Sequence, residues 1–171
     1  MRKIDHPNIV KLHFVYESPT HIYLVFDNLE GETLFSRILS KKNLEEKTVA
    51  NFAIRLLDTL KYLSDINVAH RGIKLENILM TSKSNDYDFK LIDFELATES
   101  NENPQIECGS PGYVAPEILR RLDFSPKVDV FSAGVVFYIL LCGKMPFYGR
   151  NLAEILRKNR NCIVSFNHKI W

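Results

Sequence analysis

The sequence predicts an α+β domain in which two β-strands precede a mostly helical body. Three observations carry that expectation. Ile9 to Tyr16 (IVKLHFVY) and His21 to Phe26 (HIYLVF) are rich in β-branched and aromatic residues, and Ser18-Pro19-Thr20 breaks them apart. Val49, Phe52, Ala53, Leu56, Leu57, Leu60 and Leu63 recur at helical spacing. Val130 to Gly143 runs 14 residues without a charge, between Asp129 and Lys144. That is short of the ~20 residues a membrane span needs, so it reads as a buried helix.

The remaining elements follow in order. His6-Pro7-Asn8 is a turn signal. Gly31 precedes a helix around Thr33 to Ser40. Asn43-Leu44-Glu45-Glu46 reads as a helix start, with Asn43 as cap and Glu46 three residues on. Ile78 to Met80 and Phe89 to Ile92 are short apolar runs about polar Ser82 to Asp88, a small hairpin. Residues 95 to 112 carry polar residues, Pro104 and two glycines, and read as one long loop. Ser125-Pro126 places a cap and a first-turn proline before the helix Val128 to Cys142. Asn151 to Asn159 is a last amphipathic helix.

Composition narrows the class. The chain has 171 residues, 46% hydrophobic and 25% charged, which fits a single globular domain with a real core. Lys plus Arg number 22 against 21 Asp plus Glu, a net charge of +1. That balance provides no long-range field for nucleic acid or an anionic membrane. Cys108, Cys142 and Cys162 are odd in number and widely spaced, which points to reduced thiols. His6, His13, His21 and His168 lack metal-ligand spacing. With no apolar leader at MRKIDHPNIV, the default location is cytoplasmic.

Three segments carry chemistry. They are His70-Arg71-Gly72-Ile73-Lys74-Leu75-Glu76-Asn77, then Asp93-Phe94-Glu95, then Gly109-Ser110-Pro111-Gly112-Tyr113-Val114-Ala115-Pro116-Glu117. In this order they resemble the catalytic loop, metal-binding triplet and Ala-Pro-Glu segment of eukaryotic protein kinases. HPNIVKL and YLVFDNLEGETLF extend the resemblance over essentially the whole chain. Lys74 is the serine/threonine-type feature, and GSPGYVAPE is similar to the calcium/calmodulin-dependent group. The resemblance implies a bilobal, protein-kinase-like fold. Residues 1–26 would be an N-lobe remnant of two strands, 27–33 the hinge and 34–171 a mostly helical C-lobe. The Gly-rich loop, strand lysine and helix glutamate would lie before Met1, and the last helices beyond Trp171.

The resemblance also implies roles for single residues. Asp93 and Asn77 match the two Mg²⁺ ligands, and Lys74 matches the residue that steadies the transferred phosphate of ATP. Asp27 to Leu29 match the backbone that binds adenine, Leu79 the floor of that pocket and Phe26 its gatekeeper. Thr33 stands where a glutamate often contacts ribose or a basic substrate. Leu12, His70, Phe94 and Met1 match an apolar column joining the lobes. Residues 93 to 117 match the activation segment, with hydroxyls at Thr98, Ser100 and Ser110. A phosphate there would pair with Arg71, although Ser110 reads better as a loop hydrogen bond. Asp129 would hold the catalytic-loop backbone, and Phe131 replaces a tryptophan. Glu117 would lack its arginine partner. Arg150, Arg157, Lys158 and Arg160 read as a solvated basic face.

Two positions depart from the family pattern. The aspartate that accepts the substrate's hydroxyl proton is replaced by Gly72, which has no side-chain acceptor. The glycine that closes the metal triplet is replaced by Glu95, read as a solvent-facing residue. The expectation is a protein serine/threonine kinase-like domain whose catalysis is impaired because Gly72 stands at the catalytic aspartate position and the Gly-rich loop and strand lysine are absent from residues 1–171. The alternatives are a piece of an active kinase, a non-catalytic pseudokinase scaffold or binding module, and a broken coding sequence with no stable product. Substrate, protein partner and oligomeric state are not legible.

Overall fold

The structure, a computed structural model, describes residues 1–41, 44–81, 85–99, 109–167 and 170–171. Asn43, Ser82, Ser100, Pro104, Cys108 and His168 of the sequence reading lie outside the described residues.

The elements are β1 (Leu12–Glu17), β2 (Ile22–Phe26), α1 (Leu34–Lys41), α2 (Glu46–Asp65), β3 (Val68–Ala69), β4 (Ile78–Met80), β5 (Phe89–Leu91), β6 (Thr98–Glu99), α3 (Pro116–Leu119), α4 (Lys127–Cys142) and α5 (Leu152–Arg160). The strands pair antiparallel as β1 with β2, β3 with β6, and β4 with β5. The α+β class and the placing of two strands, β1 and β2, ahead of a mostly helical body agree with the sequence.

The core is built on α2 and α4. Val49, Phe52, Leu56, Leu60 and Leu63 lie on one face of α2 and are buried. Helix α4 is buried at Val128, Ala133, Val135, Val136, Ile139 and Leu140, as the uncharged run from Val130 onward leads one to expect. The Phe52 ring meets Phe89 of β5 at 4.9 Å between centroids, which seats the β4–β5 hairpin on α2. Helix α2 ends where Asn67 takes φ +56°, a left-handed conformation asparagine tolerates better than most residues.

Several local readings are corrected. The first strand begins at Leu12, not Ile9, because Asn8 to Val10 pair with β5 instead. Leu91 donates to Asn8 O at 2.7 Å, and Val10 donates to Leu91 O at 3.0 Å. Helix α2 begins after Glu45, whose side chain makes no cap bond. Pro126 occupies the cap position of α4 rather than its first turn, and Ser125 Oγ accepts from Lys127 N–H at 3.4 Å. Within the expected loop 95–112, Thr98 and Glu99 form β6, because β3 offers an edge at Ala69 and Val68. Asn151 does cap α5, accepting from Glu154 N–H at 2.9 Å.

Gly31 is fixed by a close approach. A Cβ there would stand 1.7 Å from Met80 O, while Met80 N–H donates to Glu32 O at 2.8 Å. Gly31→Ala is therefore expected to cost about 1–3 kcal/mol or more, as overpacking against backbone does. The urea midpoint checks this.

Candidate functional site

The site assembles at the ends of β3, β4 and β5. Asp129, 1% exposed on α4, reaches the segment after β3. Its Oδ2 accepts from His70 N–H at 2.6 Å and its Oδ1 from Arg71 N–H at 2.8 Å. This matches the holding role expected for it. Burial pushes its carboxyl up to about 6, against the opposing pull of those two amides.

His70 is fully buried. Its Nδ1 accepts from Gly72 N–H at 3.1 Å, so its Nε2–H donates to Ile92 O at 3.2 Å. That neutral tautomer agrees with a pKa lowered to about 4 by burial. Its ring meets Phe94 at 4.3 Å, the one contact of the expected apolar column that ring geometry shows directly.

Asn77 and Asp93 are brought together by the hairpin. Ile78 opposes Leu91, and Ile92 N–H donates to Asn77 O at 3.0 Å. The residues flanking the hairpin, Asn77 before β4 and Asp93 just after Ile92, thus share one end of it. Asn77 is buried and its Nδ2 donates to Gly72 O at 3.0 Å, which leaves its Oδ1 as acceptor. Asp93 is exposed, takes φ +64°, and its Oδ1 accepts from Glu95 N–H at 3.4 Å. Glu95 is exposed, in line with its solvent-facing reading. Lys74 Nζ donates to Ser110 Oγ at 3.2 Å, the loop hydrogen bond expected of that serine.

For other residues of the reading the structure adds contacts that the sequence did not show. Thr98 is buried in β6, and its Oγ1 donates to Glu99 O at 3.3 Å, so this hydroxyl is not presented to solvent. Thr33 caps α1, its Oγ1 accepting from Ser36 N–H at 3.2 Å. The carboxylate of Asp27, a residue whose backbone matches the adenine-binding stretch, accepts from Lys11 N–H at 3.2 Å and lies 2.8 Å from His13 Nε2 and 3.2 Å from Lys90 Nζ. Those partners, His13 foremost, hold it at about 2. This clamp ties β1 to β5, and no short motif announces it. Arg71 donates from Nε to Leu96 O at 2.7 Å, and its Nη1 is buried without a partner among the described residues. Glu117 is half-buried at the start of α3, with no ion pair among the described residues.

Lys158 lies 3.2 Å from Glu154 and donates to Tyr148 O at 2.8 Å, while Arg150, Arg157 and Arg160 are exposed. Cys142 and Cys162 are free. Among the described residues no cluster of three His, Cys, Asp or Glu is placed to hold a metal. No helix among them is long and apolar enough to cross a membrane.

The family described as "Protein kinase domain" matches residues 1–170. "Probable serine/threonine-protein kinase 2" of Plasmodium falciparum (isolate K1 / Thailand) is 40% identical over 100% of this chain and 34% of its own length. "Myosin light chain kinase A" of Dictyostelium discoideum is 36% identical over 100% of this chain and 59% of its own. "Calcium/calmodulin-dependent protein kinase type 1" of Macrobrachium nipponense is 38% identical over 100% of this chain and 50% of its own. The chain thus spans between a third and three-fifths of these relatives. It belongs to the protein kinase family, among relatives of the serine/threonine type.

Protein kinases generally use ATP and Mg²⁺. The groups present fit them. Mg²⁺ takes oxygen ligands and is commonly held by one or two protein groups plus phosphate. Asn77 Oδ1 and the Asp93 carboxylate are such a pair. At the strand end, the Asp27 carbonyl and Leu29 amide carry no hydrogen bond among the described residues.

Proposed function

We propose that this chain is a serine/threonine protein kinase domain whose phosphotransfer is crippled at Gly72, while the groups for nucleotide and metal remain. The observation that carries this reading is the frame around Gly72. Its amide is held by His70, its carbonyl by Asn77, and the segment behind it by Asp129. A side-chain acceptor is missing from an otherwise assembled loop.

In this reading Asn77 and Asp93 hold Mg²⁺. The Asp27 carbonyl, Leu29 amide and Leu79 side chain hold adenine. Bound ATP would supply the phosphoryl group, and its metal would neutralise the charge that develops on it. Lys74, steadied by Ser110, faces that charge. A substrate hydroxyl would meet no carboxylate at position 72 to orient it or take its proton, a loss of about 10²- to 10⁴-fold.

A second reading, a non-catalytic binding or scaffold module, is favoured by Glu95. This carboxylate sits two residues from Asp93, where a second negative charge opposes nucleotide phosphates. The partner in either case is a protein, and the compartment is the cytoplasm by default.

Calorimetric titration with Mg-ATP and transfer of labelled γ-phosphate to a serine peptide test the proposal. Residues 1–171 are expected to bind Mg-ATP weakly and to transfer negligible phosphate. Measurable turnover overturns the crippled-kinase reading, and a low-micromolar Kd contradicts the weak binding expected.

A further inference from the structure

Asn159 lies on α5, the helix whose outer face is polar and basic, yet its own side chain is fully buried. A buried carboxamide is costly unless both ends are hydrogen-bonded. Both are. Oδ1 accepts from Gly112 N–H at 3.1 Å, and Nδ2 donates to Val114 O at 2.8 Å. A single side chain therefore grips alternate backbone groups of residues 112–114, as a neighbouring strand would. The carbonyl between them, Tyr113 O, accepts from Ser132 Oγ of α4 at 2.7 Å. The same segment turns back on itself where Tyr113 N–H donates to Ser110 O at 3.0 Å. Ser110 Oγ in turn accepts from Lys74.

We infer that Asn159 is a positioning residue: its carboxamide fixes the backbone of residues 112–114 and, through the turn at Ser110, holds Lys74 in place. The inference rests on the kinase reading for its functional meaning, since Lys74 is the residue assigned there to the transferred phosphate. The physical content is independent of that reading. Residues 109–114 themselves form neither helix nor strand, so their conformation depends on what grips them from α4 and α5. An apolar residue at 159 would fill the space equally well but would leave Gly112 N–H and Val114 O buried and unpaired. Burial alone therefore does not account for asparagine here. A backbone clamp does.

The position was visible in the sequence only as the end of an amphipathic helix. Nothing in the spacing distinguished it from the exposed polar residues beside it.

The test uses Asn159→Leu, which keeps the volume and removes both bonds, and Asn159→Asp, which keeps the acceptor for Gly112 and loses the donor to Val114. Two readouts are taken by mass spectrometry, neither needing nucleotide or turnover. One is amide exchange over residues 109–115, with α2 and α4 as internal references. The other is the rate at which an amine-acylating reagent labels Lys74. In Asn159→Leu the Gly112 amide is expected to exchange about fivefold faster, the equivalent of one hydrogen bond worth about 1 kcal/mol. Lys74 labelling should rise with it, while α2 and α4 are unchanged. Asn159→Asp should retain the Gly112 protection yet still raise Lys74 labelling. If Asn159→Leu does not fold, Asn159→Asp decides. Unchanged Lys74 labelling, or a loss of protection spread evenly over α2 and α4, overturns the inference. Measurable phosphotransfer, or a low-micromolar Kd for Mg-ATP, in the same preparations would instead count against the crippled-kinase reading and leave this result standing.

Discussion

Gly72→Asp is expected to raise phosphotransfer by about 10²- to 10⁴-fold in the full-length protein, the range a general base contributes. The backbone at Gly72 does not have the positive φ that disfavours side chains. A Cβ built there meets His70 Nδ1 at 3.1 Å, His70 Cε1 at 3.2 Å and Asn77 Nδ2 at 3.3 Å. Those contacts are tight, and accommodation requires a few tenths of an ångström. His70 is pinned by Ile92, Gly72 and Phe94, so the movement falls to the Asn77 amide. Gly72→Asn is the control, since it imposes the same steric demand without a base. Transfer of labelled phosphate to a serine peptide distinguishes the two. A gain for aspartate but not asparagine supports the missing-carboxylate account. Equal rates for both variants and the parent sink it.

The second large effect is at Asp129. Asp129→Ala removes the acceptor of two backbone amides, the buried one of His70 and the partly buried one of Arg71. At about 1–3 kcal/mol for each orphaned donor, the loss is about 2–6 kcal/mol. That is a large part of the roughly 5–15 kcal/mol that holds an ordinary domain together. Denaturant unfolding of the parent and Asp129→Ala measures it, and an unchanged midpoint would contradict the holding role.

Asp129→Asn adds a pH signature. The folded carboxyl titrates at about 6, above its usual value of 3.8. Between those values the folded state binds more protons than the unfolded one, so this group makes stability fall as pH rises. His70 acts in the opposite sense. Its folded pKa of about 4 lies below the ordinary 6.5, so the unfolded state binds the extra proton and stability rises with pH over that window. In the parent the two slopes largely cancel between pH 4 and 6. In Asp129→Asn only the His70 slope remains. The stability of the variant relative to the parent should therefore climb by about 1.4 kcal/mol per pH unit there. A flat difference between the two curves would show that Asp129 titrates elsewhere.

Much of the fold was legible because its signals are local. Helical spacing in 49–63, the uncharged run 130–143 and the paired apolar runs at 78–80 and 89–91 each depend on residues close in sequence. The three motif segments were legible for the same reason, since each is a contiguous string whose order in the chain is itself the signal. What escaped were pairings between distant segments. Strand β6 exists because β3, about thirty residues earlier, presents an edge. Ile9 left the first strand because β5 competes for its backbone. That Thr33 caps α1 and that the Asp27 side chain clamps β1 to β5 likewise came from the structure alone.

The sequence alone determined the family, the α+β class, the order of the chemical segments and the one missing carboxylate. Periodicity suffices for the α+β class, while the family and the missing carboxylate rest on the resemblance of three contiguous motif segments to protein kinases. Only the tertiary structure decided which polar side chains are buried and what they hold: Asp129 under the His70 loop, Asn77 against Gly72, Asn159 across residues 112–114, and Thr98 turned inward. A buried polar group is tolerated only where a backbone partner from elsewhere in the chain completes its hydrogen bonds. That partner is set by packing, which no local spacing records.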